Sequence, residues 1–363
     1  MKAAIVALVL GCGLALVSVP LTTILPQEAD WRLLEVYQMR GSDAILNMRV
    51  IDPPRAYHLA NITVGFPPKV YEMEVDLTMA GCWVTSESCE SLGCYPKTGY
   101  NSSESIMHRP KGDVVRVEYT GGRGHGKLSS DTVSIGGLHI ISFVFSELEH
   151  LGGGAIIRVP YDGVLGAQFA GGNDNPENLF AALYARGLIP TNSFSVSLSK
   201  TKGSQLVLGG IDPHLSLFSF AYHPLLEGAP WTVAIQALRI AGQSVDLAAP
   251  ALKIDLTVPF FIGSSGLIDR INAGIGEIMA NCTGLESLPN VVLDLGHNEY
   301  SISPEVYVVR TISDSGARCF SGFIGMRMAD GLEETLVAGD AFIRRYYTHF
   351  DMGNKQLGFA YSA

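Results

Sequence analysis

The chain alternates apolar and polar residues in short runs, which glycine, proline, asparagine and aspartate interrupt. Val, Ile, Thr, Phe and Tyr recur within the runs, a pattern that predicts many short β-strands. The stretch 57-YHLANITVGFPPKVYEMEVDL-77 reads as two strands around a Gly-Phe-Pro-Pro turn, because neither proline can sit inside a ladder. The segment 113-DVVRVEYTGGRGHGKLSSDTVSIGG-137 reads as a hairpin with 121-GGRGHG-126 as a mobile tip. No helix pattern or Lys-Ser/Thr pair follows these glycines, so they do not read as a phosphate cradle. Helical spacing appears in 176-PENLFAALYARGLI-189, ending at Gly187, and less regularly in 264-SSGLIDRINAGIGE-277.

Within this pattern, two apolar runs each hold one carboxylate in the same setting: 74-EVDLTMAGCWV-84 and 253-KIDLTVPFFIG-263. A buried carboxylate is costly unless it is paired or hydrogen-bonded. Each Asp-Leu-Thr is followed at a similar separation by a small apolar step ending in glycine, Val164-Leu165-Gly166 and Val337-Ala338-Gly339. A repeat this long predicts two homologous lobes rather than a solenoid. A pseudo-twofold axis between them would bring Asp76 and Asp255 together.

Composition narrows the class. The 363 residues are 47% hydrophobic and 17% charged, with net charge −10. No Lys/Arg cluster appears, so nucleic acid is not an expected partner. Met1-Lys2 and the apolar 3-AAIVALVLGCGLALVSV-19 predict a signal peptide over 1–18, with a signal anchor as the rival reading. Secretion or a vacuolar or lysosomal lumen follows, and cysteine usage agrees. Cys89 and Cys94 can close a small loop, Cys282 and Cys319 a larger one, and Cys82 reads as a buried free thiol. No spacing suits zinc, and no cofactor is expected. Sequons begin at Asn61, Asn101 and Asn281.

Further motifs then point one way: 161-YDGVLG-166, 194-FSVSLS-199, 209-GGID-212 and 339-GDAFIRRYYTHFD-351. From about Tyr57 to its C-terminus the chain resembles the pepsin-like aspartic peptidases. The resemblance implies a mainly β, bilobal pepsin-like acid protease fold, with β-barrel-like lobes at 57–193 and 194–363 and a cleft between them. It places Tyr119 at the flap tyrosine, Asp131-Thr132-Val133 at the family's spacing after it, and Trp83-Val84 after the first aspartate. It also implies disulfides Cys89–Cys94 and Cys282–Cys319, and a monomer that takes an extended peptide or protein in the cleft.

The chemistry implied by the resemblance is peptide hydrolysis by a paired-aspartate, water-activating mechanism. Asp76 and Asp255 would be catalytic; Tyr119, Trp83, Gly122, Thr78 and Thr257 would line the substrate site. The chain departs from the family inside its motif, where Asp-Thr-Gly has become Asp-Leu-Thr in both lobes. Leu77 and Leu256 cannot make the hydroxyl bond that locks the family's two loops, but could pack on each other. Thr78 and Thr257 add a Cβ near the substrate, and their hydroxyls could bond the aspartates. Weak or altered aspartic endopeptidase activity is therefore expected. A catalytically inactive homologue that binds an extended peptide, and a secreted surface or storage glycoprotein, remain alternatives. Residues 19–56, which hold the arginines Arg32, Arg40, Arg49 and Arg55, no lysine and a balancing set of acids, with a short amphipathic helix expected at 29–39, read as a pro-segment or a permanent extension.

Overall fold

The alternating runs fold as strands, and the strands build one motif twice. The computed structural model describes residues 14–26, 55–95, 97–119, 122–153, 156–168, 176–313 and 316–363. In chain order the first part contributes β1 (Val17–Ile24), β2 (Tyr57–Val64), β3 (Lys69–Asp76), β4 (Trp83–Thr85), β5 (Arg109–Tyr119), β6 (Gly122–Ile135), β7 (Leu138–Gly152) and β8 (Gly163–Gly166). Helix α1 (Leu179–Ala185) and strands β9 (Ser193–Ser197) and β10 (Ser204–Leu208) lead to the second part. There β11 (Ala251–Ile254), β12 (Phe261–Ser264), α2 (Ser265–Ile275), β13 (Phe323–Met326), β14 (Thr335–Ala338), α3 (Asp340–Arg345), β15 (Tyr346–Asp351) and β16 (Gln356–Tyr361) carry the argument.

In the first lobe β3 runs parallel to β8, β8 antiparallel to β4, and β4 parallel to β7. In the second, β11, β14, β12 and β13 repeat those three pairings in the same senses. Parallel pairs need cover on both faces, and the sequence supplies it: β8 and β14 are buried at every position. The fold is thus mainly β and bilobal, as the Asp-to-Gly repeat predicts.

A shared sheet joins the lobes in the order β16-β15-β9-β10-β1-β2-β3. Its core is aromatic. Phe194 stacks on Phe350 and Phe180 at centroid distances of 4.7 and 4.3 Å, and Trp231 meets Phe194 edge-on. Strand β1 lies between β10 and β2, with Val17 opposite Leu208 and Ile24 opposite Tyr57. The expected signal boundary after Ser18 falls inside this strand, and the expected helix at 29–39 lies outside the described residues.

One local expectation needs correcting. Gly124 and Gly126 lie not in the turn but within strand β6, paired with β5 and β7, and Gly122 closes the hairpin opposite Tyr119. The reason is close approach. A Cβ at Gly122 would lie 2.1 Å from the Gly152 carbonyl oxygen, and one at Gly126 2.0 Å from that of Glu147. Glycine lets β7 cross here, which alternation alone cannot reveal.

Both helices expected from spacing form. Asn178 caps α1 by accepting from the Phe180 and Ala181 amides, and Gly187 follows with φ of 66°. Helix α2 ends before Gly276, at φ of 86°. The disulfides Cys89–Cys94 and Cys282–Cys319 are both present, and Cys82 is a buried free thiol. Asn61 and Asn281 are exposed and Asn101 is half-buried. Among the described residues no helix is long and apolar enough to cross a membrane.

Candidate active site

The repeat delivers each aspartate to the same place, the end of a strand that runs parallel to the one closing with glycine. Asp76 ends β3 opposite Gly166, and Asp255 follows β11, its amide donating to the Ala338 carbonyl. A Cβ at Gly166 would lie 2.3 Å from the Gly81 oxygen, and one at Gly339 1.7 Å from the Val258 oxygen. No other residue lets the returning strand close on the aspartate loop.

The two loops then make the same turn. Oδ1 of Asp76 accepts from the Thr78 amide at 2.7 Å and the Thr78 hydroxyl at 2.6 Å. Oδ1 of Asp255 accepts from Thr257 in the same two ways, at 2.9 and 2.8 Å. The threonines that replace the family glycines are thus donors to the carboxylates. Leu77 and Leu256 are fully buried in one apolar cluster, where a buried leucine contributes about 1.5–3 kcal/mol. Apolar burial thus stands in place of the family's hydroxyl lock, as the loss of that hydroxyl in both lobes led one to expect.

Both aspartates are buried, at 5% and 9% exposure. Burial pushes the Asp76 carboxyl above its ordinary range, the negative charge of Asp255 adds to this, and the Thr78 donors oppose it.

The flap hairpin β5–β6 carries Tyr119, whose ring lies 6.0 Å from that of Trp83. The phenol donates to the Gly152 carbonyl at 2.9 Å. The indole Nε1 of Trp83 is buried without a hydrogen-bond partner among the described residues. Gly122 pairs with Tyr119 across the hairpin. Thus Trp83 and Tyr119 are brought together, and Thr78 and Thr257 sit on the aspartates.

Three participants were not expected. Glu74, two residues before Asp76, is 1% exposed, with its carboxyl beside the Tyr161 phenol but no hydrogen bond of ordinary geometry to either oxygen among the described residues. Burial lifts its pKa to about 8, partly offset by Arg55, whose Nη2 lies 3.6 Å from Oε1. Arg55 precedes Ala56, whose amide donates to the Thr257 carbonyl on the second aspartate loop. The N-terminal segment therefore reaches both aspartate loops. Asn178 is the third: while its oxygen caps α1, its amide nitrogen donates to the carbonyls of Ala80, Gly166 and Gln168, pinning the first loop. The lobes are further tied by Trp231 Nε1, which donates to the Ala167 carbonyl at 2.8 Å. An asparagine just before a helical pattern signals a cap; nothing in sequence signals its second role.

Comparison with known proteins agrees with this arrangement. Residues 57–362 match the sequence profile of the family described as eukaryotic aspartyl protease. The chain is 27% identical to pepsin II-1 of Oryctolagus cuniculus over 319 residues, 85% of this chain and 81% of that protein. It is 28% identical to pepsin A of Sus scrofa over 314 residues, 84% of this chain and 80% of the relative. Cathepsin D of Dictyostelium discoideum is 28% identical over 320 residues, 84% and 83% of the two chains. A profile match across both lobes, over two strands that end in the same aspartate turn, establishes that this chain belongs to the eukaryotic aspartyl protease family.

Proposed function

We propose that the chain is an aspartic endopeptidase of the secretory pathway, with Asp76 and Asp255 as one catalytic unit. The observation that supports it best is the duplicated turn, in which two buried and electrostatically coupled carboxylates each keep two donors on one oxygen. Two facing carboxyls do not ionise together cheaply, so the pair holds a single proton, as in aspartic proteases generally. The ionised member removes a proton from a water, and the water oxygen attacks the scissile carbonyl carbon. The neutral member gives its proton to the carbonyl oxygen. Collapse of the resulting gem-diol breaks the C–N bond as the amine takes up a proton.

Residues of the flap and cleft would hold the peptide in place. Tyr119, supported by Trp83, covers the substrate, and Gly122 offers backbone groups to an extended chain. Activity is weaker than with the family motif because Thr78 and Thr257 place a Cβ where glycine leaves room. Residues 1–18 act as a signal peptide and 19–56 as a pro-segment, a reading favoured by the placement of Arg55 and Ala56 against the two aspartate loops. Digestion of a denatured protein across pH 3–7 tests the proposal. Cleavage blocked by a hydroxyethylene-type transition-state mimic and absent from Asp76→Ala supports it. Peptide binding without cleavage in the wild type, unchanged in Asp76→Ala, points instead to an inactive homologue that binds peptides.

A further inference from the structure

An open groove of about 800 Å³ lies on the first lobe, over one face of β2, β3 and β6, and shares no lining residue with the aspartate loops. Its walls are apolar and bare. Phe66, Val70, Ile106 and Ile141 all line it, at 54%, 56%, 70% and 63% exposure. The wall is also fixed in place. The Phe66 amide donates to Ser105 Oγ at 2.9 Å, and the Phe66 carbonyl accepts from the Ile106 amide at 3.0 Å. Large apolar side chains gathered on one exposed patch mark a surface that something covers.

The floor of the groove says what that is. Along β2 the side chains alternate, so exposed Asn61 and half-buried Thr63 share the face opposite buried Ile62. Thr63 stands opposite Val70 on one side and Ser134 on the other. Asn61 and Thr63 are the first and third residues of the sequon 61-NIT-63, and both line the groove; neither Asn101 nor Asn281 does. An acyl chain or an apolar protein face laid here would strip water from the Asn61 amide and the Thr63 and Ser134 hydroxyls and give them no partner, which is costly. A saccharide suits both parts of the groove. Its ring faces carry C–H bonds that pack on apolar walls, and its rim carries hydroxyls that pair with those of the floor.

We propose, on the reading that the chain enters the secretory pathway, that Asn61 carries an N-linked glycan whose first sugars lie in this groove and cover its apolar walls. In the transfer, Asn61 Nδ2 forms a bond to the anomeric carbon of a lipid-linked oligosaccharide diphosphate. The bond from that carbon to the diphosphate oxygen breaks, and the amide proton passes to the released diphosphate. Thr63 supplies the hydroxyl that the sequon requires. Covalent attachment at the floor holds the sugar at high effective concentration over Phe66 and Ile106, so weak contacts suffice to keep it there. The glycan shields the lobe from association and leaves the aspartate cleft open.

The test secretes the full chain from eukaryotic cells as wild type and as Asn61→Gln. Peptide mass mapping after enzymatic release of N-glycans in heavy-oxygen water should find Asn61 converted to labelled aspartate. The apolar dye ANS should bind Asn61→Gln several-fold more than wild type, and adding Phe66→Ser and Ile106→Ser to that variant should return binding to the wild-type level. Enzymatic removal of the sugar from folded wild type should raise dye binding in the same way, a readout that holds even where Asn61→Gln fails to fold. A secreted chain with Asn61 bare overturns this inference alone; a chain that stays in the cytosol without sugar overturns the secretory reading with it. Sugar at Asn61 whose removal leaves dye binding unchanged overturns the covering role. A sugar-bearing wild type that is a dimer, broken by Phe66→Ser, assigns the groove to a second copy and overturns the inference as well.

Discussion

Replacing Glu74 by glutamine keeps the shape of the side chain and removes its titration, which isolates a large contribution to stability. In the folded chain the Glu74 pKa is raised from 4.5 to about 8 by burial. A carboxyl whose folded pKa is raised contributes stability that is fully present below about 4.5 and is lost as pH rises through about 8. At about 1.4 kcal/mol per pH unit, the loss between pH 5 and pH 8 comes to about 3 kcal/mol. His58 and His349, each held down to about 4 by burial, act in the opposite sense as pH falls. They are common to both proteins and cancel in the comparison. Urea unfolding of wild type and Glu74→Gln at pH 5, 6, 7 and 8 gives the two slopes. Wild type should lose about 3 kcal/mol more than the variant across that range. Parallel curves would refute the reasoning: Glu74 would then be ionised throughout, stabilised by Arg55 and the Tyr161 phenol more strongly than burial opposes.

Other consequences follow from single contacts. Asn178→Ala removes a helix cap and a buried amide that pins three carbonyls, so urea unfolding should show a loss of about 2–3 kcal/mol, with kcat reduced because Gly166 and Ala80 lose their anchor. Thr78→Ala takes one donor from the ionised form of Asp76 and leaves the backbone donor; kcat/KM plotted against pH should move up by about one pH unit. Burial lifts the Cys82 thiol to about 12, so it should resist iodoacetamide in the native protein at pH 8 and react fully in guanidinium, as read by peptide mass mapping.

Much of this architecture could be read from residues. The two Asp-Leu-Thr copies and the glycines that follow them are the repeat seen in the pairing of β3 with β8 and β11 with β14. The threonine hydroxyls do donate to the aspartates, as their position one residue past leucine allowed. Glu74 was not legible. Alternation puts Glu72 and Glu74 on one face of β3, and Glu72 is indeed exposed. That face is covered only near the strand's end, where the cleft and Tyr161 close over it, and no local pattern encodes such long-range cover. The glycines of β6 were misjudged for a related reason: a crossing strand 21 to 30 residues away in sequence, not local freedom, demands them. The strand formed by Val17–Ile24 was hidden because an apolar leader and a short β-strand rich in Val, Leu and Ile share one composition.

The central claim is that Asp76 and Asp255 act as a single proton-sharing unit, and the most direct check is the rate of cleaving one fluorogenic peptide by Asp76→Asn, Asp255→Asn and the double variant. Groups that work as a unit are grossly non-additive, so each single variant should fall about as far as the double, by about a thousandfold or more. A single variant within tenfold of wild type, or single losses that multiply in the double, would contradict the account.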